Sequence, residues 1–180
     1  YHAFVTANDL TPLIDTALNN AASGARDAPV TSIHVAAAFE AATMPPNIVA
    51  AINDAHCLLG GGEVAVRSSA EAEDSERSSF AGQHATILNV LGPDAVMAAI
   101  RRCWASLWSE RALAYRNALR ETSDAAPAMA VVVQRMVAAA QAGVAFTCDP
   151  ITGRGDDIVI EAVAGLGDSL VSGEETPQRY

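Results

Sequence analysis

Apolar residues recur every three or four positions in the first third of the chain, a spacing that is typical of helices. Residues 9–22 and 31–42 show this pattern, and a third helix is predicted to run from the proline pair at 45–46 to about residue 59. The sequence LGGG follows, and consecutive glycines are typical of a hinge. We therefore expect a helical N-terminal part over residues 1–62.

The hydrophobic pattern changes after the glycines. The sequence EVAVR at 63–67 predicts a short strand, whereas 68–83 is rich in serine, glycine and acidic residues and is predicted to be a loop. ATILNV at 85–90 predicts a second strand, and the longest helical spacing covers 93–120, where two tryptophans are expected to anchor the core. These elements are expected to form a second part over residues 63–122.

The last third of the chain predicts strands. MAVVVQRMV at 129–137 is almost continuously apolar, as expected of a strand whose two faces are both covered. AGVAFT at 142–147 and DIVIEAV at 157–163 predict two more strands, and the glycine-punctuated GLGDSLVSG is predicted to be a turn. We expect a β-rich part over residues 128–180, and the fold class of the chain is predicted to be α+β.

Composition narrows the classes of function. The chain has 180 residues, 51% of them hydrophobic, which is enough for a buried core and fits one or two domains. Its formal net charge is −10 and it contains no lysine, so binding to nucleic acid or to an anionic membrane surface is not expected. Any contact with phosphate must then come from arginine, hydroxyl or backbone N–H groups.

The three cysteines, Cys57, Cys103 and Cys148, are odd in number and lack CxxC spacing, which disfavours a disulfide framework or a zinc site. We expect them to be buried free thiols of a cytoplasmic protein. No apolar run approaches the roughly 18–20 residues of a spanning helix, and no signal peptide is visible. The four histidines lack a carboxylate or cysteine at ligand or triad spacing, so no catalytic histidine and no metal ligand is assigned.

The sequence VAVRSSAEAEDSERSSFAGQ contains the strongest candidate chemistry. Arg67 is predicted at the end of a strand, where a fixed guanidinium suits a bidentate contact with phosphate. Ser68 and Ser69 can add hydroxyl and backbone donors. The alternative is a surface loop in which Arg67 pairs with Glu73 or Asp74.

The end of the same segment is rich in small residues. Ala81 and Gly82 would allow the backbone to approach a polyanion closely, and Gln83 and Thr86 could orient a phosphate or a metal-bound water. The chain has no GxxxxGK[ST] Walker loop, and GLGD with its neighbours is not a GxGxxG dinucleotide turn.

Two further segments are candidates for nucleotide contacts. An apolar strand followed by a turn can pair its backbone with an adenine edge, and Gln134, Met136 and Val137 would then line a flat apolar slot. The alternative is an ordinary buried strand. Glu161 is predicted near a strand end, where a carboxylate can accept hydrogen bonds from ribose hydroxyls. The alternative there is an exposed acid without a ligand.

Five motifs occur in order along the chain: VAVRSSAEAED with SFAGQHATILNV, RRCWASLWSERALAYR, MAVVVQRMV, AGVAFTCDPITG and IEAVAGLGDSLVSGEETPQRY. Together they closely resemble the N-terminal nucleotide-binding domain of phosphoenolpyruvate synthases, pyruvate phosphate dikinases and rifampicin phosphotransferases. The resemblance covers most of the chain from about Met44 onward and is weak before it. The order of the motifs makes it specific at the level of the family.

The resemblance implies an ATP-grasp fold that holds ATP and Mg²⁺ between two α+β lobes. It implies that QRMV forms the adenine hinge and that Glu161 lies near the ribose. The phosphate contacts that it implies are Arg67, Ser68, Ser69, Gly82, Gln83 and Thr86. Because the chain has no lysine, Arg67 is the candidate for the catalytic positive charge. Enzymes of this family split ATP to AMP and pass a phosphoryl group to a histidine on a swivelling domain, then to pyruvate or to a drug hydroxyl. The implied partners are ATP and, within the same parent protein, the phosphohistidine domain and an acceptor domain.

The sequence departs from the family pattern at two positions, since Glu71 stands where threonine is usual and Asp168 stands where GLGE is usual. An acid at position 71 would repel phosphate unless it points away or meets a metal. The family's lysine-bearing segment and its metal-binding strands are expected outside this chain, so we expect an incomplete fragment that is inactive by itself. A pyruvate, water dikinase-like enzyme is the first hypothesis. A rifampicin phosphotransferase-like enzyme, a non-catalytic nucleotide-binding module and an interaction domain are the alternatives.

Overall fold

The computed structural model of the chain describes residues 1–24, 28–70, 74–75, 78–79, 85–118 and 127–180. Its elements, in chain order, are α1 (His2–Ala7), α2 (Thr11–Ser23), α3 (Ala28–Ala41), α4 (Pro46–Leu58), β1 (Val64–Ala70), β2 (Asp74–Ser75), β3 (Ser78–Ser79), β4 (Thr86–Val90), α5 (Pro93–Ser106), α6 (Glu110–Ala118), β5 (Met129–Arg135), β6 (Gln141–Phe146), β7 (Val159–Ala164), α7 (Asp168–Ser172) and β8 (Gln178–Arg179). The chain divides into two compact units, Tyr1–Met136 and Val137–Tyr180, and each has its own antiparallel sheet. The α+β class is confirmed, while the division into parts at 1–62, 63–122 and 128–180 stays a prediction.

A three-stranded antiparallel sheet organises the first unit, with the strand order β4–β1–β5. Val64 and Val66 on β1 are fully buried, since every second side chain of the strand faces the helical layer. β4 pairs with β1 across a bulge, because Val66 lies opposite Ile87 whereas Val64 lies opposite Val90. Asn89 takes a φ of 54° at this bulge, a conformation that asparagine adopts more readily than most residues.

Four aromatic rings lie at the centre of the helical layer. The ring centroids of Phe4 and Trp104 are 4.9 Å apart, and those of Phe39 and Trp108 are 6.3 Å apart. Trp104 donates its indole N–H to the Met129 carbonyl at 3.2 Å, which ties α5 to the start of β5. Both tryptophans are buried in the core, as predicted.

The three helices predicted in the N-terminal part are present with small shifts at their ends, and α1 precedes them. Gly60 and Gly61 follow α4 with φ values of 94° and 66°, so the LGGG sequence ends this helix in a left-handed turn. Buried His56 reaches the same turn, where its Nε2–H donates to the Gly62 carbonyl at 3.2 Å. No single helix among the described residues is long and apolar enough to cross a membrane. α3 and α4 taken together have the required length and apolar composition, but the two helices meet at a bend of 71°.

The helix predicted over 93–120 is divided into α5 and α6. The N–H groups of Leu107, Trp108 and Ser109 each donate to the carbonyl three residues earlier, which makes a tight turn of the 3₁₀ type. The Ser109 side-chain oxygen then accepts the Ala112 N–H at 3.2 Å and caps α6. A capping serine therefore interrupts an otherwise continuous helical spacing.

The loop predicted over 68–83 is wrong at its start, because β1 continues to Ala70 and pairs with β5 throughout. The short strands β2 and β3 also pair in this region, with Asp74 opposite Ser79. Residues 71–73, 76–77 and 80–84 lie outside the described part of the chain.

β5 alternates between buried and exposed side chains, so the prediction that both of its faces are covered is wrong. Met129 is buried, and Val131 and Val133 pack against the core. Val132, between them, is 49% exposed. A run of valines thus forms a strand with one face towards the helices and one face away from them.

The prediction of buried thiols holds for Cys103 and is wrong for Cys57 and Cys148, which are exposed. All three cysteines are free. Burial raises the pKa of the Cys103 thiol to about 11, so this group keeps its proton at neutral pH.

The sheet of the second unit consists of β6, β7 and β8 in that order, all antiparallel. Val159 and Val163 on β7 are buried, and α7 packs against that strand. The turn predicted over GLGDSLVSG is wrong in part, because it contains α7, which follows Gly167 and ends at Gly173 with a φ of 75°. Glycine is typical both of turns and of helix ends, and the pattern did not separate the two.

Candidate functional site

Arg67 lies in the middle of β1, and Ser68, Ser69 and Ala70 continue the strand beyond it. The prediction that Arg67 stands at a strand end is therefore wrong. The pairing of β1 with β5 extends as far as Ala70, which lies opposite Met129. The three residues after the arginine are small and continue the ladder, although their composition is typical of a loop.

The Arg67 side chain is exposed on the sheet face opposite the helices. Val66 beside it is fully buried in the core, and consecutive side chains of a strand point to opposite faces. The same alternation puts Ser69 on the face of Arg67 and puts Ser68 on the face of the helices. Ser69 is exposed and Ser68 is half-buried, as this arrangement requires. Of the two predicted serines, only Ser69 shares the face of the arginine.

Two neighbouring strands bring further side chains beside Arg67. Thr86 on β4 and Val132 on β5 lie directly opposite it in register, where Cβ atoms of antiparallel pairs are about 5 Å apart. Gln134 lies opposite Ala65, two residues before Arg67 and on the same face, which gives a diagonal separation of about 7–8 Å. Thr86 and Gln134 are both exposed. The Arg67 face is the set Arg67, Ser69, Thr86, Val132 and Gln134.

The guanidinium of Arg67 forms no ion pair with any carboxylate that the structure describes. The side chains of Glu73 and Asp74, its partners if the segment were a surface loop, are not among the described ones. Gly82 and Gln83 also lie outside the described residues. Within the described part of the chain, the Arg67 face therefore combines a positive charge, hydroxyl and amide groups and one valine, a combination that suits an anion next to an apolar group.

Among the strands that the structure describes, β5 lies at an edge of the first sheet, since the strand order ends there. The Met136 N–H donates to the Glu63 carbonyl at 2.9 Å, so the pairing extends one residue past the strand. Backbone groups of alternate residues face opposite sides in an antiparallel strand, and the N–H and carbonyl of Arg135 therefore face the open edge. Of the two residues that flank Arg135, Gln134 is exposed and Met136 is half-buried.

In the second unit, Glu161 lies in the middle of β7, so the prediction that it stands near a strand end is wrong. It lies opposite Val144 on β6 and opposite Arg179 on β8, and its side chain is half-buried. Val137, the other candidate of this unit, is exposed, and its carbonyl accepts the Ala139 N–H at 2.8 Å.

Asp149 forms a hydrogen-bond network that was not predicted from the sequence. Its Oδ1 accepts the Ile151 N–H at 2.8 Å and a hydrogen from Arg179 Nη2 at 3.1 Å, which ties the 149–154 loop to β8. The hydrogen bond from Ile151, with smaller contributions from Thr152 and Arg179, holds the pKa of the Asp149 carboxyl below its usual value. The sequence signal is DPITG, since aspartate before proline with a later glycine is typical of a turn.

The whole chain, residues 1–180, matches the family described as pyruvate phosphate dikinase, AMP/ATP-binding domain. The chain therefore belongs to this family of AMP/ATP-binding domains. The resemblance inferred from the five motifs is confirmed, and it extends over the N-terminal helices as well.

Named relatives of the chain include three kinds of transferase or synthase. Phosphoenolpyruvate synthase from Aeropyrum pernix is 49% identical over 148 residues, which cover 79% of the chain and 18% of the relative. Prodigiosin synthesizing transferase PigC from Serratia marcescens is 47% identical over 140 residues, 77% of the chain and 15% of the relative. Rifampicin phosphotransferase from Streptomyces sviceus is 44% identical over 152 residues, 83% of the chain and 17% of the relative. The chain thus spans less than a fifth of the length of these relatives.

Gly143→Ala should destabilise the second unit. A Cβ at this position would lie 2.5 Å from the Glu161 carbonyl oxygen, so β6 and β7 would have to move apart at Glu161. We expect the free energy of unfolding to fall by about 1–3 kcal/mol, as at other overpacked sites. Gly155→Ala is the control, because a Cβ there meets no atom within 4 Å. Equal effects of the two substitutions in urea unfolding would contradict the steric explanation.

Acidification should release the 149–154 loop. Because the pKa of Asp149 is depressed in the fold, its stabilising contribution is complete above the ordinary aspartate pKa of about 3.9 and is lost as the pH falls through the lower folded value. The NMR signal of the Ile151 amide should follow this transition, with a midpoint below about pH 3.9. Asp149→Asn keeps an acceptor oxygen but removes the titrating group, and it should abolish the transition. A midpoint at or above the ordinary value would show that the network does not hold the carboxylate.

Proposed function

We propose that the chain binds ATP, with the phosphates on the Arg67 face. The observation that carries the proposal is an exposed guanidinium in the middle of a sheet, opposite Thr86 and without an ion-pair partner among the described residues. A guanidinium on a rigid strand offers a bidentate contact to phosphate oxygens. The hydroxyls of Ser69 and Thr86 add donors beside it. Membership of an AMP/ATP-binding family supports the same ligand.

The remaining phosphate contacts are proposed from the resemblance. Gly82 and Gln83 precede β4 in the sequence, and we assign them to the cover of the phosphates. Ser68 has a different position, because its side chain faces the helices and its N–H donates to the Ala85 carbonyl at 3.2 Å. We therefore assign Ser68 to holding the strand that carries Arg67 rather than to donating its N–H to ATP.

The adenine is proposed to bind at the open edge of β5. The carbonyl and N–H of Arg135 face this edge, and such a pair can accept from the amino group of adenine and donate to a ring nitrogen. Exposed Gln134 and half-buried Met136 flank these groups. Val137, the next residue along the chain, is proposed to line the same apolar slot. This assignment uses the QRMV hinge that the resemblance implies.

Glu161 is proposed to accept hydrogen bonds from the ribose hydroxyls. Its carboxylate is half-buried in the sheet of the second unit, so it loses less freedom on binding than an exposed side chain would. Arg179 lies opposite Glu161 but donates to Asp149 at 3.1 Å, which supports a carboxylate at 161 that keeps acceptor capacity for a ligand.

The reaction that we propose is pyruvate, water dikinase-like, within an ATP-grasp fold of a cytoplasmic protein. ATP is split to AMP with two acceptors: one phosphoryl group passes to a histidine on a swivelling domain of the parent protein and then to pyruvate, and the other passes to water and leaves as inorganic phosphate. The phosphoenolpyruvate synthase relative supports this acceptor. The rifampicin phosphotransferase relative favours a second candidate, an antibiotic hydroxyl. Because the chain spans under a fifth of these relatives, the phosphohistidine and acceptor domains are proposed to belong to the rest of the parent protein.

The contribution of the protein to such a transfer is positioning and charge neutralisation. Arg67 would oppose the negative charge on the phosphoryl oxygens, where a preorganised cation lowers the barrier. Mg²⁺ is proposed to accompany ATP. The described residues include no group of three His, Cys, Asp or Glu side chains that could hold a metal ion, so no step of the proposal passes through it.

Arg67→Ala in the full-length protein should lower kcat/KM for ATP-dependent AMP formation by about 100-fold or more, the effect expected when one donor to developing charge is removed. Arg67→Lys should recover only part of the activity, because an ammonium group lacks the bidentate geometry. Arg102→Ala, on the exposed surface of α5, is the control and should leave turnover unchanged. Thermal unfolding should show that the fold survives each substitution.

Unchanged turnover in Arg67→Ala would overturn the assignment of the phosphates to the Arg67 face.

Calorimetry with Mg-ATP distinguishes an enzyme from a non-catalytic module and from an interaction domain. Binding without turnover in the unsubstituted full-length protein would favour a non-catalytic nucleotide-binding module. A flat trace would favour an interaction domain.

A further inference from the structure

Both backbone groups of Ala85 are held by other parts of the first unit. Its carbonyl accepts the Ser68 N–H at 3.2 Å, and its N–H donates to the Ser106 Oγ at 3.2 Å. Ala85 directly precedes Thr86, which lies opposite Arg67. The last turn of α5 therefore contacts the backbone at the point where β4 begins beside the Arg67 face.

The Ser106 hydroxyl has one orientation that satisfies both of its contacts. It donates its proton to the Cys103 carbonyl at 2.7 Å, one turn earlier in α5. A lone pair is then directed at the Ala85 N–H, which needs an acceptor. The hydroxyl thus links the helix backbone to the strand backbone, and an alanine at this position would provide neither hydrogen bond.

Cys103 supports the same contact through the carbonyl of Ala85. Its Sγ lies 3.5 Å from the Ala85 oxygen and 3.8 Å from the Val66 oxygen. Because burial raises the pKa of this thiol to about 11, it keeps its proton and remains a weak donor at neutral pH. α5 therefore contacts Ala85 at its N–H and at its carbonyl.

The start of β4 needs such an anchor because its pairing with β1 is short. Thr86 and Ile87 pair with Arg67 and Val66, and the register then shifts at the bulge before Val90. The pair of Val64 with Val90, beyond the bulge, follows a different register. It therefore does not fix the position of Thr86 and Ile87 along β1. The position of Thr86 relative to Arg67 thus depends on how the residue before Thr86 is held.

We propose that Ser106 is a positioning residue for the phosphate contacts, because it fixes the backbone of β4 so that Thr86 lies beside Arg67. The inference rests on the proposed function, since it concerns the ATP contacts of that face. Ser106 is half-buried at the end of α5, on the helical side of the sheet, and it acts through Ala85 rather than by touching the nucleotide.

The test compares Ser106→Ala with Ser109→Ala in the full-length protein. Each substitution removes a serine hydroxyl that accepts a backbone N–H near the junction of α5 and α6. The hydroxyl of Ser106 accepts the Ala85 N–H before β4, whereas that of Ser109 accepts the Ala112 N–H and caps α6. We expect Ser106→Ala to lower kcat/KM for ATP about tenfold, mainly through KM, since the hydrogen bond that holds the Ala85 N–H is lost. It should also speed hydrogen exchange of the Ala85 amide. Ser109→Ala should change neither.

A second variant separates positioning from a general loss of stability. Ser106→Thr keeps the hydroxyl and should restore kcat/KM to within about threefold of the unsubstituted protein. The double variant Ser106→Ala with Arg67→Ala should lose no more activity than Arg67→Ala alone, because Ser106 acts through that pair.

The outcomes distinguish this inference from the proposed function. If Arg67→Ala loses turnover while Ser106→Ala matches Ser109→Ala in kcat/KM and in Ala85 exchange, the positioning role is overturned and the phosphate assignment stands. If Arg67→Ala keeps full turnover, both are overturned. Full additivity of the two losses in the double variant would also overturn the positioning role.

Discussion

The pairing of β1 with a neighbour on each side determines how the residues of the first unit are arranged. Val64 and Val66 are buried against the helices, and a strand period of two then puts Arg67 on the other face. A shift of one residue would expose the valines and bury the guanidinium. Burying a valine gains about 1.5–3 kcal/mol, and burying an unpaired charge costs several more. Both effects favour the observed register, so the exposure of Arg67 follows from the core.

The same pairing assembles the Arg67 face from distant parts of the chain. Thr86 and Gln134 are far from Arg67 in sequence, yet antiparallel neighbours on both sides of β1 bring them within two cross-strand spacings of it. The helical layer contributes through the backbone, since Ser106 holds Ala85 and Trp104 holds the Met129 carbonyl. The backbone of a paired strand is ordered before a ligand binds, so only the side chains of this face have to lose freedom, which suits recognition of a charged group.

Residue chemistry and motif order in the sequence identified Arg67, Thr86 and Gln134 as candidates, but not the fact that they share a face. Strand order and register depend on pairing between distant segments, and no local pattern reports them. Arg67 and Glu161 were assigned to strand ends for the same reason. Small and polar residues follow Arg67, and a glycine-rich segment lies shortly after Glu161, yet each strand continues to pair with its neighbour beyond these residues. The Asp149 network was missed because it depends on Arg179, which only the sheet brings close.

The proposed function requires that the Arg67 guanidinium contacts a phosphate of bound nucleotide. An experimental structure of the full-length protein with a non-hydrolysable ATP analogue would show whether it does. We expect a distance of about 2.7–2.9 Å between a guanidinium nitrogen and a phosphate oxygen, with Thr86 beside the same phosphate group. A triphosphate bound away from this face, with no oxygen within hydrogen-bond reach of Arg67, would refute the assignment.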